Sequence, residues 1–200
     1  MKIYFSRHGE SLANTLRIIS NRDLSHTLTE RGREQAASLA RNLAGRPLAR
    51  IFSSPVPRAV ETAGIVAQAL SVPLEITNAL REYDCGILEG RGDEAAWAIH
   101  SQFWRDWSEG RSRNQSPPGG ETFYDIQERF GDFVNGLVRE FGQTETEFLC
   151  ISHGGTYTFG LPGTLANVDL GFVQNHSLGH TVIITAEVVD GKLTCTAWDG

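Results

Sequence analysis

The chain has 200 residues, 40% of them apolar and 21% charged, with a formal net charge of −6. This length is enough to bury a full core as one domain, and the composition excludes a disordered segment. The negative balance excludes a nonspecific DNA- or RNA-binding surface, which needs a basic footprint, yet leaves room for a local cationic pocket.

The first predicted element is a short buried strand, Lys2-Ile3-Tyr4-Phe5-Ser6, three β-formers in a row. Arg7-His8-Gly9-Glu10 follows it directly. In an open α/β sheet the carboxyl end of a strand is where ligands bind. Residues 29–44 have helical spacing (Ala36, Leu39, Ala40, Leu43), with Gly45 and Pro47 as a stop. Arg50-Ile51-Phe52-Ser53-Ser54 is a second strand. Pro55 and Pro57 open a helix to Leu70 with an apolar stripe of Val60, Ala63, Ala67 and Leu70. A third strand covers 74–77. This alternation predicts a parallel sheet with helices on its faces.

Residues 88–120 break the rhythm and read as a helical, lid-like insertion with a loop ending Ser116-Pro117-Pro118-Gly119-Gly120. Trp97, His100, Trp104 and Trp107 share one side of its helix, which either packs on the domain or faces a substrate's leaving group. Arg91, Arg105, Arg111 and Arg113 are solvated, or one of them reaches an anionic substrate. A long amphipathic helix over 122–141 turns Ile126, Phe130, Phe133, Leu137 and Phe141 to one side. Strand 147–152 then delivers His153-Gly154-Gly155, repeating the design of the first. A helix over 155–165 and strands over 181–188 and 193–198, joined by the hairpin signal Asp190-Gly191, complete the chain. The fold class is α/β: a three-layer α/β/α sandwich whose central sheet is mostly parallel, with an antiparallel edge element. There is no internal repeat or interdomain linker, so residues 1–200 read as one domain.

At the sheet edge this order gathers Arg7, His8, Ser53-Ser54, Arg58, Arg81-Glu82 and His153. Guanidinium forks match phosphate oxygens bidentately, and glycine turns entering helices add N–H donors that favour an anion. Phosphoryl transfer needs such positioning and charge stabilisation. A neutral imidazole can act as the nucleophile and divide one hard step into two. Arginines beside His8 disfavour its protonation, and its other ring nitrogen needs an acceptor, such as a carbonyl in the Gly9 turn. Glu82 can protonate the departing alkoxide and then serve as base toward water.

These segments resemble the histidine phosphatase superfamily, in its phosphoglycerate mutase-like branch. The similarity runs through Arg7-His8-Gly9-Glu10-Ser11 with Asn14, Leu28-Thr29-Glu30-Arg31-Gly32-Arg33-Glu34-Gln35-Ala36, and Ser53-Ser54-Pro55-Val56-Pro57-Arg58-Ala59-Val60-Glu61-Thr62-Ala63. It continues through Leu80-Arg81-Glu82-Tyr83-Asp84-Cys85-Gly86, Gly119-Gly120-Glu121-Thr122 and Ser152-His153-Gly154-Gly155. The resemblance implies a phosphoglycerate mutase-like fold, His8 as nucleophile, Glu82 as proton donor, and Arg7, Arg58 and His153 as the phosphate pocket. Asn14, the Gly154 backbone and Ser20 are implied as further contacts, and neither metal nor cofactor is implied. The chain departs from the mutases after the acid, where Tyr83 stands in place of an arginine and Cys85 in place of a later tyrosine, with acidic Asp84 between. The loop Ile19-Ser20-Asn21-Arg22-Asp23 also lacks the family's glutamine–glycine pair. The loss of that arginine favours a phosphatase over a mutase.

The expected function is hydrolysis of a small phosphorylated metabolite through a phosphohistidine. The alternatives are a phosphoglycerate mutase and an inactive phospho-ligand binding module. Sugar phosphates, phosphoglycerate, nucleotide-loop phosphates and phosphoamino acids all stay open as substrates. His176 and His180, four apart in an extended segment leading into a predicted strand, would stand about 13 Å from each other, too far to share a metal. Asn175 and Ser177 are either pocket or turn residues. No stretch approaches the roughly 20 apolar residues of a membrane span, no signal segment precedes the first strand, and the cysteines are scattered. The expected protein is therefore cytoplasmic, binds neither nucleic acid nor membrane, and has an open oligomeric state that allows a homodimer.

Overall fold

The computed structural model describes residues 1–22 and 25–199; Asp23, part of the divergent loop noted above, lies outside the described residues. Six strands form one sheet: β1 (Lys2–Arg7), β2 (Leu48–Ser53), β3 (Leu74–Ile76), β4 (Glu147–Ser152), β5 (Ile183–Val189) and β6 (Lys192–Asp199), in the order β3-β2-β4-β1-β5-β6. The first four are parallel to one another, β5 pairs antiparallel with β1, and β6 pairs antiparallel with β5 at the edge. Asp190 and Gly191, both at positive φ, make the two-residue turn between them.

Strand side chains alternate between two cores, as the two-residue period of a strand requires. Ile3, Phe5, Phe148 and Cys150 pack with Phe130, Val134, Tyr157 and Leu161. These partners come from α5 (Phe123–Phe141) and α6 (Gly154–Thr164). Tyr4, Leu149 and Ile151 face the opposite way, onto α2 (Glu30–Asn42) and α3 (Pro57–Leu70). The result is the expected three layers. On α3 Ala59, Ala63 and Val66 are fully buried, and Ala67 and Leu70 of the predicted stripe pack half-buried against the same cluster, whereas Val60 does not join it. Arg58 and Thr62 are buried as well, and they meet His8 and Gly9.

Three more helices carry the connections: α1 (Leu12–Leu16), α4 (Glu94–Ser108) and α7 (Leu170–Gln174). The inserted helix is α4, capped by Asp93, whose side chain accepts from the Ala96 N–H. A third apolar cluster fastens it to the body. Trp107 is fully buried there, edge-on to Phe159 at 5.2 Å and to Tyr83 at 5.7 Å. One end of the insertion is thus packed on the domain, while Trp97, His100 and Trp104 remain half-buried beside a cavity.

Candidate active site

Register brings the two histidines together. Arg7 of β1 pairs with Ser152 of β4, so the residues that follow, His8 and His153, leave the sheet side by side. The His8 N–H donates to the Ser152 carbonyl at 3.0 Å, and the two rings lie 5.0 Å apart. Ser54, just past β2, hydrogen-bonds His153 Nε2 through its hydroxyl at 2.7 Å. Gly9 is required by crowding: a Cβ there would run into the Gly32 carbonyl of α2, and its N–H donates to Thr62 Oγ1.

The tautomer of His8 follows from its partners. Nδ1 lies 2.7 Å from the Gly9 carbonyl, which can only accept, so Nδ1 carries the hydrogen. Nε2 receives the Arg58 Nε–H at 2.9 Å, so its lone pair is the acceptor. Burial holds the His8 pKa well below its usual range, and the neighbouring Arg58, His153 and Arg7 push it the same way. His153 is likewise depressed, by burial first and then by Arg58 and Arg7. Arg58 is buried, donates also to the Ser20 carbonyl at 2.5 Å, and has its pKa lowered to about 10, chiefly by burial. Arg7 donates to the Leu178 carbonyl at 3.0 Å. Among the described residues Arg7 Nε and His153 Nδ1 are buried without a hydrogen-bond partner, which marks a polar site that an anion would complete.

Glu82 sits against the start of α6. Its Oε1 accepts from the N–H groups of Tyr83 and Thr156 and from Thr156 Oγ1; Oε2 accepts from the Gly155 N–H at 3.1 Å. The amides of Gly155 and Thr156, expected to greet an anion, are therefore occupied by this carboxyl group. Gly155 makes the approach feasible, since a Cβ there would collide with the Tyr83 ring and stand 2.8 Å from Glu82 Oε1. Arg81 does not join the guanidinium pair. It turns away to Glu121 at 2.6 Å, which also binds Arg129 and the Asp84 N–H and so fixes the segment carrying Glu82. The convergent guanidiniums are thus Arg7 and Arg58.

A cavity of about 220 Å³ opens over these groups, lined by Arg7, His8, Arg58, Glu82 and Gly154, with Asn14 and Ser20 at its side. Ser20 offers its carbonyl to Arg58, while its hydroxyl lies 2.9 Å from His26 Nδ1. Asn14 Oδ1 accepts from the Ser11 N–H and faces His180 Nε2 at 3.3 Å. Sequence reasoning weighed His180 only as a metal ligand, in a segment leading into a strand. The structure places it in the turn before β5, where the Thr181 N–H bonds the Arg7 carbonyl and brings the His180 ring 5.7 Å from His8. Burial and the nearby Arg7 hold its pKa at about 4. His176 instead stacks on Phe172, Asn175 Nδ2 donates to the Gly171 carbonyl of α7, and Ser177 accepts from the Gly179 N–H at its hydroxyl and from Trp198 Nε1 at its carbonyl. Among the described residues no group of three His, Cys, Asp or Glu side chains is arranged to hold a metal.

Neutral, buried imidazoles carry a stability signature. Below about pH 6.5 the unfolded chain binds protons at His8 and His153 that the folded chain refuses. Stability is therefore complete above that pH and declines as pH falls toward the lower folded values, by up to about 1.4 kcal/mol per pH unit for each ring. Melting curves recorded from pH 7.5 to 5 should show this decline; a flat profile would mean that the rings are not held neutral.

A sequence profile of the histidine phosphatase superfamily (branch 1) matches residues 3–199. The chain belongs to that family. It is 30% identical over 129 residues to a probable phosphoglycerate mutase, GpmB, of Salmonella choleraesuis, covering 64% of this chain and 59% of that protein. It is 29% identical over 137 residues to fructose-2,6-bisphosphatase TIGAR B of Danio rerio, covering 66% and 51%. The chain thus spans between half and three-fifths of the length of these curated relatives. Among solved structures it resembles a mycobacterial glucosyl-3-phosphoglycerate phosphatase, with a TM-score of 0.83 and 21% identity over 100% of this chain and 98% of that one. The alpha-ribazole phosphatase of Shigella flexneri matches at a TM-score of 0.82 and 22% identity, over 100% and 96%. At these identities the structures speak for the fold. No helix among the described residues is long and apolar enough to cross a membrane.

Proposed function

We propose that this chain hydrolyses phosphomonoesters of small metabolites through a phosphohistidine on His8, with no metal. The observation that carries the reading is the fixed state of His8: Nδ1 protonated on a carbonyl, Nε2 unprotonated and accepting from the buried Arg58 guanidinium. The ester phosphate takes the place of His8 Nε2 as partner of Arg58 and completes the bonding of Arg7 Nε and His153 Nδ1. Nε2 attacks phosphorus in line; the P–N bond forms as the P–O bond to the leaving group breaks. Glu82 delivers its proton to the departing oxygen from Oε2, the oxygen with the single protein partner. It then takes a proton from the water that cleaves the P–N bond, and free phosphate leaves. Asn14, Ser20 and the Gly154 backbone line the same cavity and complete the phosphate seat.

The same reading treats residues 1–200 as one catalytic domain with the 88–120 segment over its substrate cavity. A reducing cytoplasm suits its three unpaired cysteines. A mutase reading is disfavoured by Tyr83, which occupies the place after the acid and spends its hydroxyl on His100 Nε2 at 2.5 Å. The binding-module reading is disfavoured by the intact His8–Glu82 pair. Glu82→Gln tests the acid role: turnover of alkyl phosphates should fall about 100-fold or more, and that of nitrophenyl phosphate much less, because its leaving group needs little protonation. Equal losses on both would reject Glu82 as the acid.

A further inference from the structure

The cavity has two unlike halves. Its inner half is cationic: the two guanidiniums that line it, Arg7 and Arg58, both act on His8. Its outer half is lined by Ile18, Ile19, Tyr83, Trp97, His100 and Trp104. His100 is the centre of that wall, edge-on to Trp97 at 5.0 Å and stacked with Trp104 at 6.0 Å, with Tyr83 at 5.8 Å. Burial keeps its imidazole below its usual pKa.

The arginines of the insertion are turned elsewhere. Arg91 binds Asp93, Arg105 binds Gln102, Arg111 binds Asp106, and Arg113 lies 4.5 Å over the Phe123 ring while donating to the Trp107 carbonyl. In the adjoining cavity Arg22 is paired with Asp84, and Arg81 with Glu121. A carboxylate or second phosphate on the leaving group would be desolvated against aromatic rings with no counter-charge lining that half, which is costly. A flat ring would instead gain offset and edge contacts, with the uncharged His100, Tyr83 and Asn21 as polar neighbours.

We infer that the preferred leaving group is an uncharged alcohol bearing a flat aromatic or heteroaromatic ring, seated on the Trp97–His100–Trp104 wall. This rests on the proposed hydrolase reading and narrows it. It sets the site apart from one built for polyanionic sugar phosphates or phosphoglycerates.

The test compares kcat/KM on four primary alkyl esters of similar intrinsic reactivity: benzyl phosphate, adenosine 5′-monophosphate, glycerol 3-phosphate and 3-phosphoglycerate. At least one ring-bearing ester should exceed glycerol 3-phosphate about 10-fold and 3-phosphoglycerate about 100-fold. Trp97→Ala should shrink the ring preference several-fold without weakening competitive inhibition by inorganic phosphate. Trp97 is the variant of choice because Trp104 also packs on Phe159, at 4.8 Å; His100→Ala is the second. Turnover of glycerol 3-phosphate or 3-phosphoglycerate matching the ring esters overturns the inference, as does an unchanged preference in both variants. Phosphate release from none of the four, together with no phosphoenzyme from nitrophenyl phosphate, overturns the hydrolase reading itself, and is distinguishable from a lost ring preference.

Discussion

His8→Ala is expected to lower phosphomonoester turnover by about 10⁴-fold or more and to abolish acid-labile phosphoprotein labelling. The magnitude follows from what is removed. Without a nucleophile, water must attack directly in a pocket whose geometry is arranged around Nε2. Arg7, Arg58 and His153 remain, so the variant should still be stabilised by inorganic phosphate in a thermal shift. That separates loss of the nucleophile from loss of the fold. Wild-type labelling in the variant would sink the assignment of His8, and labelling at a second histidine would move it to His153 or His180.

Arg58→Ala is expected to cost about 10³-fold or more in kcat/KM, because it removes a buried cation from the position where equatorial phosphoryl charge must be held. Arg58→Lys should recover little, since a single ammonium cannot reproduce the fork that now spans His8 Nε2 and the Ser20 carbonyl. The thermodynamic prediction has the opposite sign. Arg58 is buried and makes no ion pair with a carboxylate among the described residues, and burial lowers its pKa to about 10. Its desolvation is a cost the free protein bears for the benefit of the bound anion. The alanine variant should therefore melt no lower than the wild type, and phosphate should no longer raise its melting point. A lower melting point would show that packing of the guanidinium against its neighbours outweighs the unpaired charge.

Much of the site was legible from local order alone. Arg7-His8-Gly9 and His153-Gly154-Gly155 each follow an apolar run, and a parallel sheet sends such turns to one edge whatever the details of packing. Arg58 was legible because a helix opened by Pro55 and Pro57 places its first turn at that edge. What stayed hidden depended on where side chains go after the backbone is placed. Arg81 and Arg58 look alike in sequence, yet Glu121 draws the first away while the second enters the site. His180 reaches His8 because its loop is pinned to the Arg7 carbonyl by a bond between residues far apart in the chain. Helices α1 and α7, five residues each, are too short to show a period.

The amino-acid order by itself determined the layered sheet, its parallel core with an antiparallel edge, and the family signature, because these rest on strand and helix periodicity and on residues adjacent in the chain. The tertiary structure alone decided the protonation site on His8, the capture of two α6 amides by Glu82 and the division of the cavity into cationic and aromatic halves. Each of these depends on distances of a few ångströms between segments that sequence spacing does not relate, and on the removal of water from the groups between them.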